Sequence, residues 1–463
     1  MHMIKFILSG LMLASVSSSV NAQVDSLMIR KVYDEELHHG DAYGNLRYLC
    51  KNVGPRLSGS RNAEKAVTWS KKLMESYGFD KVYLQKVMVH HWVRGAKEQG
   101  IIIDGQNRTT LTLAALGGSV GTPKQGITAE VIELQSLKQL DSLGETGVKG
   151  KIVFFNRPFD DKIIEGVPAY MGAADQRFSG PGEAARYGAI AVLIRSLTFS
   201  IDNYPHTGAM QYLGNSPIPA AALSTVSANQ LSNLIKKKKS GEVKIYFKQN
   251  CETLPDVASY NVIGELKGSE FSNQYITVGG HLDSWDLAEG AHDDGTGVMQ
   301  AVEVLRIFKK IGYQPKHTIR AVLFMAEEWG GQGAMKYADE ATINKEKHIA
   351  AIESDEGGFT PRGFRFGVSN TGLKQINTNW KDLFAPYNSE SMTIGGNNVD
   401  IAYLKKTMPD VILIDFRPDS QRYFDVHHSA NDIFENVNKR ELELGAASMT
   451  ALTYLIDQHE IKN

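Results

Sequence analysis

Apolar and polar positions along this 463-residue chain fall into three textures. From residue 260 onward, near-continuous apolar runs at 274–280, 318–326, 348–353 and 411–416 alternate with stretches whose apolar positions recur every three or four residues, at 297–311, from about 333, and at 439–457. The first kind predicts strands buried on both faces and the second predicts amphipathic helices. Alternation of the two predicts an α/β unit, a mostly parallel mixed sheet flanked by helices. Near the other end, 26–48 reads as a helical entry segment. In 62–77, Ala63, Ala66, Val67, Leu73, Met74 and Tyr77 share one side of a helix that Gly78 stops. Residues 82–89 alternate as a half-exposed strand does. Between 117 and 250 lies the third texture, short strand-like runs (127–134, 151–156, 190–195, 220–223) between glycine-rich turns, which predicts an inserted β-rich domain. The division expected is a leader at 1–22, a first part of the α/β unit at 23–116, the insert at 117–252 and the second part at 253–463.

Length agrees with two globular units, since a single core rarely serves so long a chain. The formal charge of −2 sets up no field of one sign, which argues against nucleic acid and anionic membrane as partners. Lys236-Lys237-Lys238-Lys239 reads as a solvated helix end rather than a binding patch. At the start, Lys5 precedes an apolar run over 6–16 and small residues ending at Val20-Asn21-Ala22, the pattern of a signal peptide cut after Ala22. Export to a periplasm or out of the cell is expected, and no later stretch is long enough to span a bilayer. The two cysteines, Cys50 and Cys251, are expected as separate buried thiols and are not in zinc-finger spacing.

Chemistry concentrates in the second part. His281-Leu282-Asp283 is followed, twelve residues after His281, by Asp293-Asp294-Gly295-Thr296-Gly297, then by Glu327-Glu328, Asp355 and His427-His428. His281, the glutamate pair and Asp355 each come just after an apolar strand, where ligands bind in open α/β sheets. Imidazoles and carboxylates in this supply can hold two divalent metals with a glutamate left over as base, the equipment of metal-assisted amide hydrolysis. Asp283 suits the acceptor of the other His281 ring N–H, and Asp293 suits a carboxylate shared by two metals. One of Glu327 and Glu328 would face a metal and the other the substrate water. Glu353 and Glu356 compete locally with Asp355, and either His427 or His428 could be the last ligand.

The chain resembles the di-zinc exopeptidase family that includes carboxypeptidase Q and bacterial zinc aminopeptidases. The likeness rests on Gly54-Pro55-Arg56-Leu57-Ser58-Gly59-Ser60, His281-Leu282-Asp283-Ser284-Trp285-Asp286, Ala326-Glu327-Glu328, Glu353-Ser354-Asp355 and Tyr423 ahead of His427-His428-Ser429, and spans nearly the whole mature chain. The resemblance implies two zinc ions per chain, one on His281, Asp293 and Asp355, the other on Asp293, Glu328 and His428. It implies Glu327 as general base, Asp283 and Tyr423 in support, a cis peptide between Asp293 and Asp294, and an insert of the protease-associated kind. Substrates would be peptides or dipeptides, with a homodimer as a possible assembly. Three other readings stand beside it. An aminoacylase-type amidohydrolase usually inserts its extra domain later than this one, a glutaminyl cyclase holds one zinc, and a receptor-like inactive ectodomain has no need of a complete ligand set. Whether amino-terminal, carboxy-terminal or dipeptide bonds are cut stays open.

Overall fold

The computed structural model describes residues 22–239 and 241–461, so the expected leader at 1–22 lies, but for Ala22, outside the described residues. A helix over 22–39 and a second at Ala42–Tyr48, separated at Gly40, form the entry segment. The next helix, Arg61–Ser76, is capped by the Ser60 hydroxyl, which accepts the Ala63 N–H at 3.1 Å.

Eight strands make the larger sheet: β1 Lys81–Val93, β2 Glu252–Leu266, β3 Phe271–His281, β4 His317–Phe324, β5 Lys347–Glu353, β6 Pro361–Phe366, β7 Ser391–Ile394 and β8 Ile412–Pro418. Their order is β1-β2-β4-β3-β5-β8-β6-β7. The four central strands β4, β3, β5 and β8 are parallel, while β1, β2 and β6 join antiparallel. The sheet is thus mixed, with four parallel strands at its centre and a second parallel pair, β6 with β7, at one edge. Side chains alternate across it. Ile319, Ala321 and Leu323 of β4 pack with helices Thr296–Ile311 and Lys439–Gln458, whereas Val322 and Phe324 face Gln332–Ile343 and Val399–Thr407. Covered on both sides, these strands are largely apolar, as the sequence pattern required.

A second eight-stranded sheet is built from residues between β1 and β2. Its parallel core is Ile127–Leu134, Ile152–Phe155, Ala191–Arg195 and Ala220–Leu223. Strands Gln99–Asp104, Asn107–Leu111 and Leu113–Ala115 also belong to it, ahead of the expected opening at 117. Leu113 pairs with Leu223 and Ala115 with Ala221, partners more than a hundred residues away that no local texture reveals. The inserted unit is not simply β-rich. Helices Leu137–Val148, Gly180–Arg186 and Thr225–Ile235 accompany its strands, and apolar clusters lie on both faces, around Phe154 and Leu193 on one side and Phe155 and Ile194 on the other. The chain leaves the first sheet at Val93 and returns at Glu252, which pair with one another.

Cys50 and Cys251 are free and buried, and burial pushes both thiols up to about 12. Lys236 to Lys239 are exposed beyond the end of helix Thr225–Ile235, and Lys238 pairs with Asp104 at 3.0 Å. No helix among the described residues is long and apolar enough to cross a membrane.

Candidate active site

Parallel strands deliver their carboxyl ends to one edge of the sheet. There β3 ends on His281, β4 leads into Glu327-Glu328, and β5 runs into Asp355. His281 Nε2 lies 3.1 Å from Asp293 Oδ1 and 3.3 Å from Asp355 Oδ1. On the other side of Asp293, Oδ2 lies 3.3 Å from His428 Nε2, which also meets Glu328 Oε2 at 3.1 Å. Two sets of potential metal ligands result, His281 with Asp293 and Asp355, and Asp293 with His427 and His428; within each, the donor atoms lie within 4.8 Å of one another. Asp293 is common to both.

The local competitors are turned to other work. Glu353 accepts the Ile401 N–H at 3.0 Å, and Glu356 is held by Arg365 and Arg417. His292, next to Asp293, stacks on Phe359 with ring centroids 4.2 Å apart, accepts the Gly358 N–H at 3.1 Å on Nδ1, and has Nε2 3.2 Å from the Asn436 carbonyl. His427 stacks on His428 at 3.5 Å, its Nε2 is 3.8 Å from Asp293, and its Nδ1 has no hydrogen-bond partner.

Asp283 departs from expectation. The His281 Nδ1 proton goes to the backbone carbonyl of Asp283 at 3.0 Å, while its carboxylate Oδ1 stands 3.9 Å away. Two residues past the strand end the chain has turned far enough for the carbonyl to fold back onto the ring. The carboxylate reaches the neighbouring strand end instead, accepting the Glu327 N–H at 3.2 Å. Asp283 therefore acts on Glu327 at least as much as on His281.

Asp294 follows Asp293 through a cis peptide. It points back into the sheet, accepting from the His281 N–H at 3.0 Å and the Gly297 N–H at 2.9 Å. A Cβ on Gly297 would meet Ser354 O at 2.0 Å and Asp294 Oδ1 at 2.4 Å. That glycine makes room for a carboxylate and a carbonyl rather than for an ion.

Some positioning groups were given no role from the sequence. Asp432 accepts the backbone N–H groups of His292 and Asp293, at 2.7 and 3.1 Å. The buried Arg56, in the Gly54–Ser60 motif, donates to the carbonyls of Leu282, Glu289 and Gly290, so one guanidinium braces the loop between His281 and Asp293. From the inserted unit, Tyr170, Arg177 and Thr207 reach the same region. Arg177 is 7% exposed, donates to the Tyr170 hydroxyl at 2.5 Å, and has no carboxylate within salt-bridge distance among the described residues.

The site faces a cavity of about 810 Å³. Its lining includes Glu327, Glu328, Asp355, Tyr423 and His428, the indoles of Trp92 and Trp329, and, from the inserted unit, Arg177 and Met210. Tyr423 Oη is 3.5 Å from Asp355 Oδ1. Burial pushes the Glu327 carboxyl up to about 8; the imidazole of His281 opposes this, and the charges of Asp355, Asp283 and Asp293 add to it. Asn397 and Asn398 also line the cavity, their backbone N–H groups held by Asp415 at 3.0 Å. Arg417 sits in the ion cluster with Glu356 and Glu165 rather than free at the surface.

The donors suit zinc, which takes imidazole nitrogen and carboxylate oxygen. Asp293 Oδ2 and Glu328 Oε1 are buried with no hydrogen-bond partner, as oxygens reserved for a cation would be.

Comparison with known proteins identifies the family. The profile of peptidase family M28 matches residues 261–453. Human carboxypeptidase Q is 35% identical over 422 residues, covering 90% of this chain and 86% of that protein. The crystal structure of a peptidase M28 precursor from Shewanella amazonensis superimposes with a TM-score of 0.90 at 30% identity, covering 96% of this chain and 99% of that one. A zinc aminopeptidase from Bacillus subtilis shares the fold, with a TM-score of 0.64 at 21% identity and 90% and 94% covered. A third of its residues in common with carboxypeptidase Q along nearly the whole length, on a fold that overlays an M28 peptidase from end to end, makes this chain a member of peptidase family M28 and a metallopeptidase.

Proposed function

We propose that the protein is an exported di-zinc exopeptidase that hydrolyses dipeptides or short peptides. The observation that carries this reading is Asp293, whose two oxygens each face a different histidine, with Asp355 beside one and Glu328 beside the other. One zinc would take His281, Asp293 and Asp355, and the second Asp293, Glu328 and His428. Choosing His428 over His427 is supported by its contact with Glu328 and by the Thr207 carbonyl 3.2 Å from its Nδ1, the outer partner a ligating imidazole usually has. Bound there, the metals supply Lewis acidity toward the scissile carbonyl and lower the pKa of the attacking water.

The chain's own groups carry the protons. Glu327 takes the proton of the attacking water and returns it to the departing amine. Its carboxyl, raised by burial, is brought back toward the charged form a base needs when cations are held beside it. Tyr423 donates a hydrogen bond to the oxygen on which charge develops. Arg177 supports short substrates with a free carboxylate, because it brings to the cavity wall a guanidinium that pairs with no acid among the described residues. The unit between β1 and β2 is read as a protease-associated-like module, and residues 1–22 as the export signal.

The test is zinc content and a small substrate panel. Two zincs per chain and cleavage of unblocked dipeptides, with an amino-blocked dipeptide and an aminoacyl-nitroanilide left intact, is the expected outcome. Rapid nitroanilide cleavage would make it an aminopeptidase instead, and one zinc or none would end the di-zinc reading.

A further inference from the structure

One imidazole of the proposed pair of metal sites is oriented from within its own unit, the other from outside it. His281 gives its Nδ1 proton to the Asp283 carbonyl two residues along. His428 has Nδ1 3.2 Å from the carbonyl of Thr207, which belongs to the inserted unit. The contact is reciprocal, because the Thr207 N–H donates to the His428 carbonyl at 2.9 Å. Both residues are buried, and His428 has φ +60°, a left-handed conformation that a non-glycine residue adopts only when its surroundings insist. Thr207 is itself anchored, its hydroxyl donating to Ala115 O at 2.7 Å in the second sheet. Next to it, Gly208 has φ +136°, and a Cβ there would stand 2.4 Å from Arg177 Nη1 and 2.8 Å from His428 Nδ1. The inserted unit thus reaches His428 through a backbone carbonyl, a backbone N–H and a gap that only glycine leaves.

We infer that Thr207 and Gly208 are positioning residues for the metal ligand His428, so that one of the two zinc sites is completed by the inserted unit and the other is not. This rests on the di-zinc reading above. The Thr207 carbonyl, 3.2 Å from Nδ1, is a nearer partner than Arg177 Nη1 at 3.4 Å, and an Nδ1–H given to that carbonyl leaves Nε2 free toward Asp293 and Glu328. If the carbonyl moves, the ring turns, and only the site that uses His428 suffers.

The experiment titrates zinc into metal-stripped full-length mature protein and into two variants. Gly208→Ala places its methyl against His428. Gly214→Ala imposes a similar left-handed strain (φ +78°) where nothing lies within 4 Å. Wild type and Gly214→Ala are expected to bind two zincs alike, while Gly208→Ala keeps one site unchanged and loses about 10–100-fold at the other. Unchanged binding at both sites in Gly208→Ala would overturn the inference, as would equal weakening of both, which marks general loosening. Wild type holding fewer than two zincs would sink the underlying reading and the inference together. Hydrogen exchange on wild type keeps the question open to test if Gly208→Ala does not fold. Zinc loading should slow exchange at the Thr207 amide, and no change there while two zincs bind would also overturn the inference.

Discussion

Asp293 is the residue that both proposed metal sites would share. Asp432 receives its N–H, and its side-chain oxygens divide between His281 and His428. Glu327 plays a different part, since it lines the cavity while Asp283 fixes only its backbone. Glu327→Gln should therefore retain both zincs by elemental analysis while kcat falls about 10²–10⁴-fold, the usual worth of a positioned base. Near-normal turnover would remove Glu327 from that role. Glu327, like His281 and Asp355, was legible in the sequence because it carries a distinctive side chain just past an apolar run. Thr207 was not, for it works through backbone atoms that every residue type possesses. Nor was Arg177, whose significance lies in the absence of an acid close by, a property of folded neighbours rather than of the local string.

Elements whose burial matches their composition could be read directly. The buried strands β3, β4 and β5 and the helix Thr296–Ile311 lie within a few residues of their expected bounds. Strand β6 was missed because Arg362 and Arg365 interrupt it, and only the folded chain brings Glu356 and Asp415 to Arg365. A similar hidden pairing stitches the opposite edge of the sheet. Arg320 of β4 meets Glu265 of β2 at 2.8 Å and Glu346 at 2.7 Å, and Glu346 also meets His348 of β5 at 3.1 Å. Burial alone would raise the Glu346 carboxyl, yet hydrogen bonds from His348 and Arg320 hold it at about 2. A carboxyl lowered by folding stabilises above its unfolded value of about 4.3 and loses that contribution as pH falls toward 2. Between pH 5 and pH 2.5, the urea midpoint of wild type should therefore fall further than that of Glu346→Gln. Parallel curves for the two proteins would show that the pair carries none of the acid sensitivity.

Across the whole molecule, the first helix is tied to the helix that follows the proposed metal ligand Asp293. Arg306 is 1% exposed and meets Glu35 and Glu36 of the entry helix at 2.9 Å each, with Glu303 on its own helix. Arg306→Met would leave Glu36 and Glu303 buried without their cation, a loss of about 3–5 kcal/mol that urea unfolding would register. A change below about 1 kcal/mol would mean that the acids are content as neutral partners.

The other long-range tie is the pairing of Val93 with Glu252, which turns β1 and β2 into the two legs of a hairpin whose loop is an entire folded unit. Because the legs are zipped together below it, the loop's length is almost free to vary. Closing it costs about (3/2)RT ln n, so even a doubling of residues 94–251 would add only about 0.6 kcal/mol. What restrains that segment is its far side, where it must arrive at His428 in register. Drift in size should thus be tolerated at its periphery and resisted along the stretch that meets the catalytic edge.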